Sequence, residues 1–513
     1  MTNTFDVREP RAAKAVDAKT FRNFVGGEWI SPSTDAYFEN RNPANSDDLI
    51  GRFPDSDHRD VEAAAQSARR GFEIWSRTPA PVRGDVLRRV GDLLVERKEA
   101  IADAMTREMG KVLAETRGDV QEGIDTAYYA ATEGRRLFGR VVPSELRSKW
   151  AMNYRRPIGV VGLITPFNFP LAIPTWKMFP ALVCGNSVII KPSEDVPHTV
   201  HLLVEILLEA GVPPEVIQLV HGRGETVGKA LVEHAGVPVI SFTGSTETGA
   251  IIGETCGRMH KRLSLEMGGK NAMIVMDDGD QDLALEGVLW GAFGTTGQRC
   301  TATSRLILHQ KVHDRFLQRL ADAAEALKLG DGRHEQTDVG PLIHEAAREK
   351  VEQYVEIGSK EGAELVTGGR QPSGAQLDGG WFFQPTVFAG VQPKTRLEQE
   401  EIFGPVLSVI RVDSFDEAVR VNNDVRYGLS SSIYTGNVNL AFRAMEELDN
   451  GITYVNAPTI GAEAHLPFGG VKATGNGHRE GGWEVYDFYS ETKVCYVDYS
   501  GKLQRAQIDT YDV

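Results

Sequence analysis

The chain has 513 residues, 41% hydrophobic and 25% charged, a globular composition with length for two to four domains at roughly 100–200 residues each. Asp and Glu outnumber Lys and Arg by 71 to 56, and the formal net charge of −15 argues against a grip on nucleic-acid backbones. Apolar runs are strand-length and broken by Gly, Pro or charge, and residues 1–6 carry no apolar export signal, so a cytoplasmic protein without a membrane span is expected.

Residues 61–138 read as helical, with Val86, Val90, Leu93 and Leu94, then Ile101, Met105 and Met109, marking apolar faces among Arg and Glu. From residue 157 the period changes: strands are predicted at 159–165, 187–191, 216–220 and 237–242, with helices at 174–184, 199–210 and 226–234 between them. Strand–helix alternation with short turns implies a parallel sheet with right-handed crossovers, that is, a doubly wound nucleotide-binding domain. A second α/β series follows Glu266, with strands at 272–276, 304–309, 407–412 and 430–434. Residues 485–499 alternate β-formers with polar residues (Tyr489, Thr492, Val494, Tyr496, Asp498), which predicts an edge strand or hairpin able to pair with another subunit. Residues 501–513 read as a polar, extended arm.

The four cysteines, Cys184, Cys256, Cys300 and Cys495, lie far apart without CxxC spacing, so neither a disulfide framework nor a metal site is expected. Cys300 stands in Gly-Thr-Thr-Gly-Gln-Arg-Cys-Thr (294–301), read as the start of a helix or a tight turn. There, close backbone N–H groups would lower a thiol pKa from about 8.5 and make a nucleophile. The alternative is a small buried hydrophobe, against which the polar Gln, Arg and Thr neighbours speak. Glu266, in Leu-Glu-Met-Gly-Gly-Lys (265–270), is predicted at the carboxyl end of a strand, where it is either a general base or a solvated charge. Asn168, between two prolines and two aromatics in Thr-Pro-Phe-Asn-Phe-Pro (165–170), reads as an oxyanion-hole donor or as an ordinary turn residue.

Three further segments suit a dinucleotide. Lys191 and Glu194 follow a predicted strand, and an acid there can bind a ribose 2′-hydroxyl, favouring NAD over NADP. Gly222, Gly224 and Gly228 form GxGxxxG rather than GxGxxG, and Gly244-Ser245 join a strand to a helix whose N–H groups suit a pyrophosphate.

Taken together, the chain resembles the aldehyde dehydrogenase superfamily from about Phe24 to Tyr499. The resemblance rests on Pro-Phe-Asn-Phe-Pro, Lys-Pro-Ser-Glu, Phe-Thr-Gly-Ser-Thr-Glu, Glu-Met-Gly-Gly-Lys, Gly-Gln-Arg-Cys, Glu-Glu-Ile-Phe-Gly-Pro (400–405) and Pro-Phe-Gly-Gly (467–470), all in family order. It implies that Cys300 attacks an aldehyde, that Asn168 and the Cys300 N–H hold the oxyanion, and that Glu266 activates the water that hydrolyses the thioester. It also implies NAD as cofactor. Lys191 and Glu194 would hold the adenosine ribose, Gly244 and Ser245 the pyrophosphate, and Glu401 the nicotinamide ribose. Phe403 would line the nicotinamide side of the cleft, and Gly224 and Gly228 complete the cofactor-binding set. Trp176, Arg299, Thr301 and Phe468 match the family's substrate-pocket positions.

The implied fold is a Rossmann-type cofactor domain (1–140 and 157–265), an α/β catalytic domain (266–480) and a small β oligomerisation element (141–156 and 481–513) in a homodimer or homotetramer. Residues 120–122, 297–301, 428–432 and 461–463 look like the antiquitin (α-aminoadipic semialdehyde dehydrogenase) branch. Lys-Pro-Ser-Glu, Leu466-Pro467-Phe468 and Val471-Lys472 look like bacterial α-ketoglutaric semialdehyde dehydrogenases. A carboxylated ω-semialdehyde is therefore the expected substrate, with Arg299 either its carboxylate receptor or the partner of Glu122 or another acid. The alternatives are a broad aliphatic specificity, a CoA-acylating enzyme (argued against by Glu266), or a non-catalytic scaffold (argued against by the retention of Cys300, Glu266 and Asn168).

Overall fold

A computed structural model describes residues 19–374 and 376–509. Residues 1–6, read as lacking an export signal, and residues 510–513 of the predicted arm lie outside the described residues.

Four amphipathic helices, His58–Trp75, Ala80–Glu96, Lys98–Met109 and Leu113–Glu133, fill the region read as helical. Their apolar stripes, including Leu87, Val90, Leu94, Ile101 and Met105, are almost fully removed from solvent. The last three pack with the helices Ala172–Val183 and Pro197–Ala210 in one core against a seven-stranded sheet, while His58–Trp75 contributes Val61, Ala64, Ala65 and Ala68 to a second core with Val160, Ile189 and Ile240.

Five strands of that sheet are parallel, in the order Arg262–Glu266, Val239–Thr243, Val160–Ile164, Ser187–Lys191, Ile217–Leu219. All four strands predicted after residue 157 are present. The hairpin Asn23–Val25/Glu28–Ile30, not predicted from the pattern, adds antiparallel to the far edge. Its Gly26-Gly27 turn has φ of 67° and 90°, which glycine adopts without strain.

A second seven-stranded sheet has Asn271–Val275 and Thr303–His309 at its centre, flanked by Val406–Val412 and Ser430–Tyr434. Only residues 267–270 separate the two sheets, so the chain passes from the last strand of one to the first-used strand of the other through Gly268-Gly269. A third, antiparallel sheet joins Ser490–Asp498, Lys149–Pro157 and Arg140–Pro143. The predicted tail strand is thus present, but residues Val485–Phe488 are helical, because Val485, Tyr486 and Phe488 are drawn into the helical core. Among the described residues no helix is long and apolar enough to cross a membrane.

Candidate active site

Parallel topology gathers the candidates. The loop carrying Asn168 follows strand Val160–Ile164, Lys191 ends Ser187–Lys191, Gly244 follows Val239–Thr243, and Glu266 ends Arg262–Glu266. All four thus lie at the carboxyl edge of one sheet, where open α/β sheets bind ligands. Cys300 immediately precedes the central strand Thr303–His309 of the second sheet. Both Glu266 and Cys300 open into one cavity of about 740 Å³, whose wall also includes Trp176, Arg299, Thr301 and Phe468. The rings of Trp176 and Phe468 pack at 4.9 Å between centroids. Asn168 is 2% exposed and adjoins Phe169, which lines the cavity. Its carbonyl accepts from Lys111 Nζ at 2.9 Å, and its Oδ1 is enclosed without a partner.

Cys300 is in a turn, not at a helix start. The loop before it passes through Thr295 and Thr296, at φ 51° and 57°, and through Gly297 at φ 70°. A Cβ at Gly297 would collide with the Gly404 carbonyl, so only glycine permits this approach. Asn271 anchors the far side, its Nδ2 donating to the carbonyls of Cys300 at 2.7 Å and Ala302 at 2.9 Å. Gln298 is a buried brace rather than a polar surface residue, accepting from the Ile343 N–H at 3.0 Å.

The expected depression of the thiol pKa is reversed. Burial, followed by the negative charges of Glu401 and Glu266, pushes Cys300 up to about 12, against a smaller lowering by the Thr301 N–H and its own N–H. Glu266 is likewise pushed well above the ordinary carboxylate range, first by burial and then by Glu480, with Lys177 and Arg479 opposing. Both carboxylate oxygens of Glu266 are enclosed and unpartnered. Gly469 and Gly475 make the room for them, a Cβ at Gly469 lying 2.5 Å from Glu266 Oε1.

Behind Glu266 lies a polar cluster with no counterpart among the sequence candidates. Lys177 Nζ pairs with Glu480 Oε1 at 2.6 Å and donates to Ser241 Oγ at 2.9 Å, fully enclosed. Lys177 is the lone charge in the apolar helix Ala172–Val183, a signal that it must find a buried partner. Glu480 is brought in by a bridge between Phe468 and Glu480 and by hydrogen bonds that lace residues 474–476 to Leu263, Leu265 and Met267.

Arg299 lines the cavity but is not paired with Glu122. Its Nη2 donates to Glu115 Oε1 at 2.8 Å and its Nε to Thr295 Oγ1 at 2.9 Å, between the rings of Phe169 and Trp290. Glu122, two turns further along the same helix, also lines the cavity with Oε1 unpartnered, and burial followed by Asp119 pushes it up to about 8.

The dinucleotide candidates form a separate set with fitting chemistry. Lys191 Nζ holds Glu194 Oε2 at 2.9 Å. Burial alone would raise Glu194, but the charge and hydrogen bond of Lys191 prevail, so its carboxylate stays ionised. Ser245 caps the helix Thr246–Arg258 and leaves that helix's N-terminus facing the sheet edge. Gly224–Gly228 forms a single π-helical turn, and the space opposite both end glycines is open. Glu401 accepts from the Gly269 N–H at 2.9 Å, and a Cβ at Gly268 would strike its carboxylate, so the glycine pair makes its seat. Phe403, at φ 62°, packs edge-on against Phe167 at 5.8 Å. Among the described residues no cluster of three or more His, Cys, Asp or Glu is placed to hold a metal.

The model of the Aldehyde dehydrogenase family matches residues 29–495. An alpha-ketoglutaric semialdehyde dehydrogenase of Bacillus subtilis (strain 168) is 40% identical over 94% of this chain and 99% of its own length. An alpha-ketoglutarate semialdehyde dehydrogenase of Haloferax volcanii is 40% identical over 93% and 99%. Among solved structures, betaine aldehyde dehydrogenase of Staphylococcus aureus in complex with NAD+ superimposes with a TM-score of 0.92 at 34% identity, covering 94% of this chain and 95% of that one.

Proposed function

Because the chain belongs to the aldehyde dehydrogenase family, we propose that it oxidises a carboxylated ω-semialdehyde of the α-ketoglutaric type to the acid, with NAD, through a thioester on Cys300. The observation that carries this reading is the convergence of Cys300 and the unpartnered Glu266 carboxyl on one cavity.

Cys300 Sγ, its proton having passed to solvent water, bonds to the aldehyde carbon, and the oxyanion accepts from Asn168 Nδ2 and the Cys300 N–H. NAD, when bound, supplies the hydride acceptor. Lys191 and Glu194 would hold its adenosine ribose and Gly244 with Ser245 its pyrophosphate, near the turn bounded by Gly224 and Gly228. Glu401 would hold the nicotinamide ribose, beside Phe403. The donor sets described above suit these groups. Glu266 takes a proton from water as the water attacks the thioester carbon, and the carboxylic acid leaves as the thiolate is restored. A free base at that position favours water over CoA as acyl acceptor.

Arg299 commits Nε and Nη2 within the protein, so its Nη1 remains as the donor toward a substrate carboxylate. Trp176, Thr301 and Phe468 would contact the carbon chain. The mixed polar and aromatic wall supports a short substrate with a polar far end.

Within this reading, residues 1–140 and 157–265 serve the cofactor, 266–480 the chemistry, and 141–156 with 481–513 assembly into a dimer or tetramer. The exposed Val141, Trp150, Tyr154, Val494, Tyr496 and Val497 on the third sheet support the last role. All four cysteines are free, which suits the reducing cytoplasm. NADH formation across aldehydes of varied length and terminal charge tests the proposal. It requires the highest kcat/KM for five-carbon carboxylated semialdehydes, and an equal preference for uncharged aliphatic aldehydes refutes it.

A further inference from the structure

Thr295 and Thr296 are consecutive β-branched residues in the left-handed region, at φ 51° and 57°. Such a conformation is costly for threonine and persists only where the surroundings over-determine it. Part of the restraint comes from the Gly340 carbonyl, which accepts from Thr296 Oγ1 at 2.9 Å, and from Gln298, whose N–H and Nε2 donate to the Thr295 carbonyl at 3.0 Å and 3.2 Å. A distant carboxylate adds to it. Glu115 Oε1 accepts from the Thr295 N–H at 2.7 Å and from Arg299 Nη2 at 2.8 Å, while Arg299 Nε donates to Thr295 Oγ1 at 2.9 Å. These three bonds close a ring, and the Glu115 side chain is 2% exposed. A Cβ at Gly294 would lie 2.9 Å from Glu115 Oε1, so glycine there admits the carboxylate.

Cys300 directly follows Arg299. Asn271 holds the carbonyl side of Cys300, and the ring around Glu115 holds the side from which the chain arrives. We propose that Glu115 is a positioning residue: it clamps the Thr295–Arg299 segment and thereby sets where the Cys300 sulfur stands. This rests on the reading of Cys300 as nucleophile. A carboxylate that merely neutralised Arg299 would not need to hold the Thr295 backbone as well, and the two roles respond differently to relief of the strain.

The test uses Glu115→Gln and Glu115→Asp in the full-length protein, followed by the rate of Cys300 alkylation with iodoacetamide and the rate of the first-turnover NADH burst. Glutamine loses the charge, and aspartate keeps it but is one methylene short. Both variants are expected to slow alkylation and burst about 10-fold or more, the scale of losing a charge-assisted hydrogen bond, with KM changed far less. Adding Thr295→Gly, which adopts positive φ freely, is expected to restore most of both rates in the Glu115→Gln background. Wild-type alkylation and burst rates in Glu115→Asp, which tests the clamp even if Glu115→Gln does not fold, overturn the proposal. So does a loss that Thr295→Gly fails to repair. Turnover surviving in Cys300→Ala instead overturns the nucleophile reading, which separates that failure from failure of the clamp.

Discussion

Lys177 and Glu480 form a buried ion pair, 2.6 Å between Nζ and Oε1, in the cluster beside Glu266. The pair bears on the site by charge: Glu480 raises Glu266 and Lys177 lowers it.

Glu480→Gln removes the negative charge that raises Glu266 and leaves Lys177, so the Glu266 pKa is expected to fall. A base with a raised pKa gains its active form as pH rises, so the rising limb of deacylation-limited kcat is expected to move to lower pH. The variant is also expected to be less stable by about 3–5 kcal/mol, since a buried ammonium loses its partner. Stopped-flow rates across pH, with a denaturant melt, check both. A limb that stays or moves to higher pH contradicts the coupling.

Glu194 is held ionised by Lys191 at 2.9 Å, and a 2′-phosphate would meet that carboxylate. NAD is therefore expected to be preferred over NADP, and Glu194→Ser to raise the ratio of kcat/KM for NADP over NAD by roughly 10-fold or more. An unchanged ratio means that Glu194 does not face the ribose.

Arg299→Ala is expected to raise KM for carboxylated semialdehydes by roughly 10- to 150-fold, and much less for uncharged aldehydes. Because Arg299 also completes the ring with Glu115 and Thr295, kcat is expected to fall on both substrate types. Equal KM changes on both would leave Arg299 only its structural role.

Legibility in the sequence follows the range of the physics. Ser187–Lys191 and Ser430–Tyr434 were predicted to the residue, because short buried strands of parallel sheets are near-continuous apolar or small-residue runs between turns. The segment Val485–Phe488 reads as strand and is helical, because alternation over so few residues fits either a strand or one turn of an apolar helix. Glu266 and Cys300 stood out through their glycine-rich and polar neighbours. Glu115, Lys177 and Glu480 did not, because their partners lie 180, 303 and 303 residues away and no local pattern records such pairing. The Cys300 thiol was expected low and is high. Neighbouring polarity was visible in the sequence, but its burial beside Glu401 and Glu266 depends on how the two sheets face each other.

The central claim is that Cys300 carries a thioester which water, activated by Glu266, resolves. Glu266→Gln keeps the shape of the side chain but cannot accept the proton, and general-base assistance is typically worth about 10²–10⁴-fold. Mixing this variant with NAD and a carboxylated semialdehyde is predicted to give a rapid burst of NADH equal to the enzyme concentration, then slow turnover. The quenched protein should show acyl mass on Cys300. A slow burst with no acyl-enzyme would mean that Glu266 serves mainly to deprotonate the thiol, and wild-type turnover would contradict any catalytic part for it.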